Sequence, residues 1–149
     1  LHRTLVDHRD AARAKYAAPF AQALQRYASR VFGPGTEFIL DESLQVTART
    51  LDGTTVDLNQ LSGGAKEQMA LLTRFAIADM VAGNDVGAMP VVVDDALGAT
   101  DPARLELMNA LFTQVGERSQ VIVLTCFPQR FDRVAAVKSA SIQELKERR

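Results

Sequence analysis

Two hydrophobic periods divide this chain. From Leu5 to Val31 the apolar positions Leu5, Ala12, Tyr16, Phe20, Leu24, Tyr27 and Val31 fall three, four or seven apart with Arg and Gln between them, which predicts a helix with one apolar stripe. Pro19 lacks an amide donor and crowds the preceding turn, so two helices meeting near Ala18 fit the sequence as well as one. Gly33-Pro34-Gly35 ends the segment. Too few heptads are present to separate the stub of a longer coiled coil from an amphipathic core helix.

From Glu37 to Leu58 the period changes to two: Phe38 and Leu40, then Leu44, Val46 and Ala48, then Val56 and Leu58, with Asp52-Gly53 as a turn signal. That is the pattern of a small antiparallel meander. A second helix is expected from about Gly64 to Val81, where Met69, Leu71, Leu72, Phe75, Ile77, Ala78 and Val81 give a broad apolar surface, with Gly83-Asn84-Asp85 closing it. Pro90-Val91-Val92-Val93 is a β-branched run that reads as a fully buried strand, and so does Gln120 to Thr125. Between them a helix opens on Asp101-Pro102, Asp as N-cap and Pro at the first helical position, and presents Leu105, Met108, Leu111, Phe112 and Val115 inward. Strand, helix, strand with a right-handed crossover makes the two strands parallel neighbours. A short helix from Pro128 and a polar tail follow, with Ser139 to Ile142 as a candidate edge strand.

Composition narrows this little. At 149 residues and 47% hydrophobic content, the chain suits one modest domain that folds without staples. A single cysteine, Cys126, excludes an internal disulfide; at a strand end with no nearby base it reads as a small buried hydrophobe. His2 and His8 stand outside any cluster of ligand spacing, so solvated helix positions suit them better than a metal. No apolar stretch approaches the ~20 residues of a membrane span and the opening residues do not resemble a leader, so the expected setting is cytoplasmic, with no membrane partner.

Charge changes the picture more through its distribution than through its sum. A net charge of −1 argues against a freestanding nucleic-acid binder. Residues 1–34 carry six Lys/Arg against two Asp/Glu, residues 35–101 three against eleven, and residues 102–149 eight against five. The acidic middle suits a site that gathers Mg²⁺, and equally an ordinary solvated face.

Two motifs carry chemistry. In Leu61-Ser62-Gly63-Gly64-Ala65-Lys66-Glu67-Gln68, paired glycines precede a long helix, so the backbone can approach a ligand while the first helical amides and Ser62 Oγ converge on one spot that favours an anion such as phosphate. The plainer reading is a Ser N-cap with a glycine turn. In Val91-Val92-Val93-Asp94-Asp95 a strand ends in two carboxylates at the edge where open α/β folds place ligands. One can serve Mg²⁺ and the other an attacking water, or both simply cap the loop.

Taken in order, these motifs resemble a family. Leu61 to Gln68 looks like the signature loop of ABC ATPases, Val91 to Asp95 like the Walker B strand, and Ala99-Thr100-Asp101 like the D-loop, over roughly residues 36–130. A meander rather than a helical subdomain before the signature makes the resemblance SMC-like, and Asp94-Asp95 with Val121 to Pro128 resembles bacterial SMC-like DNA-repair ATPases of the RecF and AAA-type coiled-coil group. The resemblance implies an α/β fold that is the C-terminal half of an ABC-type P-loop NTPase head: a parallel sheet core with flanking helices plus the meander, with residues 1–34 as a helical segment or coiled-coil stub and 35–149 as the lobe.

It also implies roles. Ser62, Gly63, Gly64 and Gln68 would belong to the nucleotide site, touching ATP held by a second head. Asp94 would serve Mg²⁺, Asp95 would take the catalytic carboxylate position, and Asp101 would lie at the interface between heads. Phe127 stands at the switch position where much of the family has histidine, and Asp95 where it has glutamate. No G-x-x-x-x-G-K-[ST] occurs in these residues, so the implied partners are the N-terminal P-loop half of the same protein, a second ATPase head and DNA, and this piece alone is expected to lack ATPase activity. Nucleoid association would follow. The rival readings are the ATPase half of an ABC transporter, for which a helix over Phe38 to Leu58 would speak, and a non-hydrolysing, nucleotide-gated clamp.

Overall fold

The computed structural model of the chain describes residues 2–82, 89–135 and 138–147. Gly83-Asn84-Asp85, expected to close the second helix, lies outside them, as do the side chains of Leu5 and Ala12. Helix α1 runs His2–Phe32 without interruption, so the break considered at Pro19 is not there. Pro19 is exposed, and one missing helix bond on the solvent side is readily replaced by water. Among the described side chains the buried stripe runs from Phe20 through Ala23, Leu24, Tyr27, Ala28 and Val31, whereas Tyr16, counted with it from spacing alone, is exposed. Gly33, at φ 103°, closes α1, its amide donating to Ser29 O at 3.1 Å.

Strands β1 (Thr36–Leu40), β2 (Val46–Leu51) and β3 (Thr54–Asp57) form the expected antiparallel meander, with Phe38 opposite Arg49 and Arg49 opposite Val56. Its first turn is built on Asp41, whose Oδ1 accepts from the amides of Ser43 and Gln45 at 2.7 and 2.9 Å. The second is Asp52-Gly53, both at positive φ, the backbone that an Asp-Gly pair favours in a two-residue hairpin. A short 3₁₀ turn, Leu58–Gln60, leads into helix α2, Gly63–Ala82.

Strand β4 (Val91–Asp94), helix α3 (Pro102–Gly116) and strand β5 (Val121–Leu124) follow, and β4 and β5 pair in parallel with Val91 opposite Val121 and Asp94 opposite Leu124. The expectation of fully buried strands is corrected. Val91 and Val93 face the core, but Val92 is 51% exposed, and Ile122 and Leu124 are exposed on β5. An unbroken apolar run does not say which face is covered, and here helices cover one. After β5, residues 128–131 form a 3₁₀ turn. The tail holds helix α4, Ile142–Glu147, in place of the candidate edge strand at Ser139 to Ile142. Ser141 Oγ accepts from the Glu144 amide at 3.2 Å while Glu144 Oε2 accepts from the Ser141 amide at 3.0 Å, a reciprocal cap that favours helix over strand.

The core lies where α1, α2 and α3 meet the inner face of β4. Edge-to-face rings run through it, Tyr27 to Phe75 at 6.2 Å, Phe75 to Phe112 at 5.3 Å and Phe112 to Phe131 at 5.7 Å, joining α1, α2, α3 and the 3₁₀ turn after β5. Tyr27 also donates its hydroxyl to Asp79 Oδ2 at 2.6 Å. Burial first, and Asp79 second, push the Tyr27 phenol well above its ordinary value. Among the described residues no helix is long and apolar enough to cross a membrane.

Candidate functional site

The site is assembled from the first turn of α2 and the loop that leaves β4. Leu61 is buried and packs with Ala65 and Met69 against Phe38, Val56 and Leu58, which fixes the entry of the chain into α2. Ser62 then caps the helix: its Oγ accepts from the Ala65 amide at 3.2 Å and its carbonyl from Lys66 at 3.0 Å. The two glycines differ in surroundings. Around Gly63 there is open space where a Cβ would stand, whereas a Cβ on Gly64 would lie 2.5 Å from the carbonyl oxygen of Ala99. Gly64 therefore lets the loop after β4 lie directly on the α2 backbone, while Gly63 leaves the first amides of the helix open on the other side.

Gln68 is buried, and its Nε2 donates to Thr100 Oγ1 at 3.0 Å. The side chain thus faces the loop after β4, one turn beneath the glycines.

Asp94 ends β4, and Asp95 continues its ladder by donating its amide to Leu124 O at 2.8 Å. Both side chains are exposed. Asp95 then turns at φ 44° and Leu97 at φ 68°, left-handed backbone that costs a non-glycine residue roughly 1–2 kcal/mol. Leu97 is fully buried and anchors the loop, which closes on a turn in which the Thr100 amide donates to Leu97 O at 3.2 Å. Asp101, expected as the N-cap of α3, accepts from the Arg104 amide at 3.0 Å, with Pro102 beginning the helix.

Arg130 was not legible in the sequence. Its guanidinium donates to the carbonyls of both Leu97 and Thr100, the latter at 3.1 Å, and its own carbonyl accepts from Asn109 Nδ2 at 2.9 Å. Neither its type nor its spacing from the motifs marks it. Phe127 is 60% exposed, its amide donating to Thr125 Oγ1 at 2.9 Å. Cys126 is exposed, which corrects the expectation of a buried residue: β5 ends at Leu124, and the chain has left the core two residues later.

The structure thus brings Ser62, Gly63, Gly64, Gln68 and the 95–101 loop into one packed unit, and joins Asp95 through β5 to the strand that leads to Phe127. Among the described residues no cluster of three or more His, Cys, Asp or Glu side chains surrounds a metal position. Asp94 and Asp95, consecutive in the chain and both exposed, are residues of the type that Mg²⁺ takes, one or two carboxylates with water and phosphate oxygens completing its shell. A groove of about 710 Å³ lies between α2 and the β1–β2 turn, and none of Ser62, Gly63, Gly64, Asp94, Asp95 or Phe127 lines it. Ser62, Asp94, Asp95 and Phe127 are all exposed.

No family model matches the chain. It is 47% identical over 131 residues to the uncharacterized proteins Rv1278 of Mycobacterium tuberculosis and Mb1309 of Mycobacterium bovis. The match covers 88% of this chain and about 15% of the length of those relatives. Among solved structures, a chain from a study of ATP-driven dimerization and DNA-stimulated activation of SMC ATPases superposes with TM-score 0.69 at 18% identity, over 89% of this chain and 83% of that one. The SMC head with an extended coiled coil, bound to the C-terminal domain of ScpA, from Pyrococcus furiosus gives 0.66 at 18% identity, over 95% and 39%. The SMC head domain of Thermotoga maritima gives 0.59 at 22% identity, over 77% and 40%. The fold is that of an SMC-like head.

Proposed function

We propose that this chain is the signature and Walker B half of an ATP-binding head, the C-terminal lobe of an ABC-type P-loop NTPase in a bacterial SMC-like protein akin to the RecF and AAA-type coiled-coil group. The observation that carries the reading is the contact of Gly64 with Ala99: it makes the phosphate-suited turn and the carboxylate-bearing loop one unit, within an SMC-like head fold.

In this reading Ser62 and the open amides at Gly63 meet the phosphates of ATP held by a second head, where the helix N-terminus favours negative charge. Asp94 would serve Mg²⁺, and Asp95 would take the catalytic carboxylate position. When bound, the ion neutralises charge on the phosphate oxygens. Gln68 supports the glycine turn from beneath. Asp101, exposed at the start of α3, faces the other head.

The N-terminal P-loop half is the partner inferred for the bare side of the parallel sheet. Parallel strands are ordinarily covered on both faces, yet Val92, Ile122 and Leu124 are exposed and, among the described residues, the parallel sheet has two strands. Residues 1–34 are read as the end of a coiled coil and 35–149 as the lobe; the exposed side chains around Tyr16 fit that reading for the first half of α1, while Phe20 to Val31 pack into the core of the lobe. The work done is on DNA, in repair or chromosome maintenance. The strands over Phe38 to Leu58 speak against a transporter half, for which a helix was expected. The non-hydrolysing clamp keeps one observation in its favour, an exposed Phe127 that offers no side-chain donor.

Ser62→Arg in the full-length parent tests the reading. It should abolish ATP-dependent association of heads while leaving ATP binding by each head nearly intact. Equal loss of both would refute the assignment.

A further inference from the structure

The loop after β4 is held in a conformation its residues do not favour, with Asp95 and Leu97 both at positive φ. Such backbone persists where its surroundings over-determine it. Four contacts do so here: the Asp95 amide on Leu124 O, Gln68 on Thr100, Gly64 against Ala99, and Arg130 across the carbonyls of Leu97 and Thr100. Of these, the Arg130 contact alone spans both ends of the turn that separates Asp95 from Asp101.

Arg130 is itself held from two directions. Its carbonyl accepts from Asn109 of α3, and its neighbour Phe131 packs edge-to-face against Phe112 of the same helix. The guanidinium has no carboxylate partner among the described residues; its recorded bonds go to the two loop carbonyls. Both bonds leave one nitrogen, Nη2, which ties the two carbonyls to a single point, and the planar guanidinium holds that nitrogen in a fixed direction that a flexible lysine ammonium reproduces only in part.

We propose that Arg130 is a positioning residue that clamps the 97–100 turn and so sets where the Asp95 carboxylate and Asp101 stand relative to the glycine turn of α2. The inference rests on the ATP-head reading above and adds to it the residue through which the end of β5 and α3 govern the site. Without the guanidinium, the left-handed residues are free to relax, Asp95 shifts, and the contact between Ala99 and Gly64 loosens. Arg130 touches no reacting atom in this scheme.

The test uses the full-length parent carrying Arg130→Met, Arg130→Lys or Thr100→Val, with ATP affinity, ATP-dependent head association, thermal unfolding and single-turnover hydrolysis measured for each. Arg130→Met should slow the chemical step roughly 10- to 100-fold, the scale of an ångström of misplacement, with ATP affinity unchanged. Arg130→Lys should recover part of the rate, and Thr100→Val, which removes only the Gln68 bond, should lose less than Arg130→Met. Should Arg130→Met fail to fold, Arg130→Lys and Thr100→Val carry the comparison, both slowed at parental ATP affinity. Where parental turnover stands at background, the lifetime of the ATP-held head pair is read in its place, because Asp101 sits on the same loop. Parental values in all three variants overturn the proposal, as does a lower melting temperature with the rate per folded molecule unchanged. A parent that binds no ATP overturns the head reading itself; a parent that associates on ATP but is indifferent to Arg130 overturns only the clamp.

Discussion

Gln68 and Thr100, 32 positions apart in the chain, meet in the core through a 3.0 Å bond from the Gln68 amide to the Thr100 hydroxyl. The bond ties the second turn of α2 to the loop after β4, one turn from the place where Gly64 meets Ala99. The glycine turn and the carboxylate loop are therefore packed as one unit, and the predictions below follow from those contacts and from the core that supports them.

The two glycines should respond oppositely to a methyl group. Gly64→Ala forces a Cβ to within 2.5 Å of a backbone oxygen and should destabilise the chain by roughly 1–3 kcal/mol while displacing the loop. Gly63→Ala meets nothing and should stay within about ±0.5 kcal/mol of the parent. Urea unfolding midpoints of the pair check this; equal midpoints would contradict the close approach at Gly64.

Phe75 is the ring shared by Tyr27 and Phe112, fully buried between α1 and α3. Phe75→Ala should cost about 3–5 kcal/mol by transfer and cavity together. A loss under about 1 kcal/mol in denaturant unfolding would mean that the three helices do not meet there.

Stability should fall at high pH through Tyr27. Because burial and Asp79 raise its folded-state pKa above the ordinary 10.0, the neutral phenol is favoured by folding. The associated stability is fully present below about pH 10 and is lost as pH rises through and beyond that value, when the unfolded chain ionises first. Tyr27→Phe should flatten the decline above about pH 10 and cost roughly 1–3 kcal/mol near neutrality, since Asp79, itself largely buried, loses a donor at 2.6 Å. Unfolding free energies of both proteins across that range decide it; identical slopes would sink the assignment.

Much of the fold was legible. The change of period at Glu37, Asp52-Gly53 and Asp101-Pro102 place the meander, its turn and the cap of α3 where they stand. The pairing of Val91 with Val121 follows from the strand, helix, strand order. What failed did so for identifiable reasons. Val92 and Ile122 belong to an apolar run that has no period to reveal its open face, and the Ser141 to Glu144 capping signal was present but outweighed by the β-like reading of a polar tail. Of the site, the motif residues were visible, Thr100 among them, but Arg130 and Asn109 act through tertiary contacts that leave no spacing to read.

Asp95 and Phe127 bear on the rate of the chemistry in the parent. An aspartate is one methylene shorter than the glutamate usual in the resembled family, and Phe127 offers no donor to a phosphate. Asp95→Glu and Phe127→His should each speed single-turnover hydrolysis, by up to ~10²-fold if placement limits the step. Since Phe127 is exposed, its replacement should leave stability nearly untouched. Rates at or below the parent's in both variants, with ATP binding unchanged, would show that Asp95 is already correctly placed.

The central claim is that the α2 glycine turn closes on nucleotide held by another head. Amide hydrogen exchange at Gly63, Gly64 and Ala65 in the full-length parent, followed with and without ATP and Mg²⁺, reads that turn directly. The account predicts slowed exchange at these amides with ATP, dependent on protein concentration and absent in Ser62→Arg. Saturating ATP binding with exchange at the turn unchanged would contradict it.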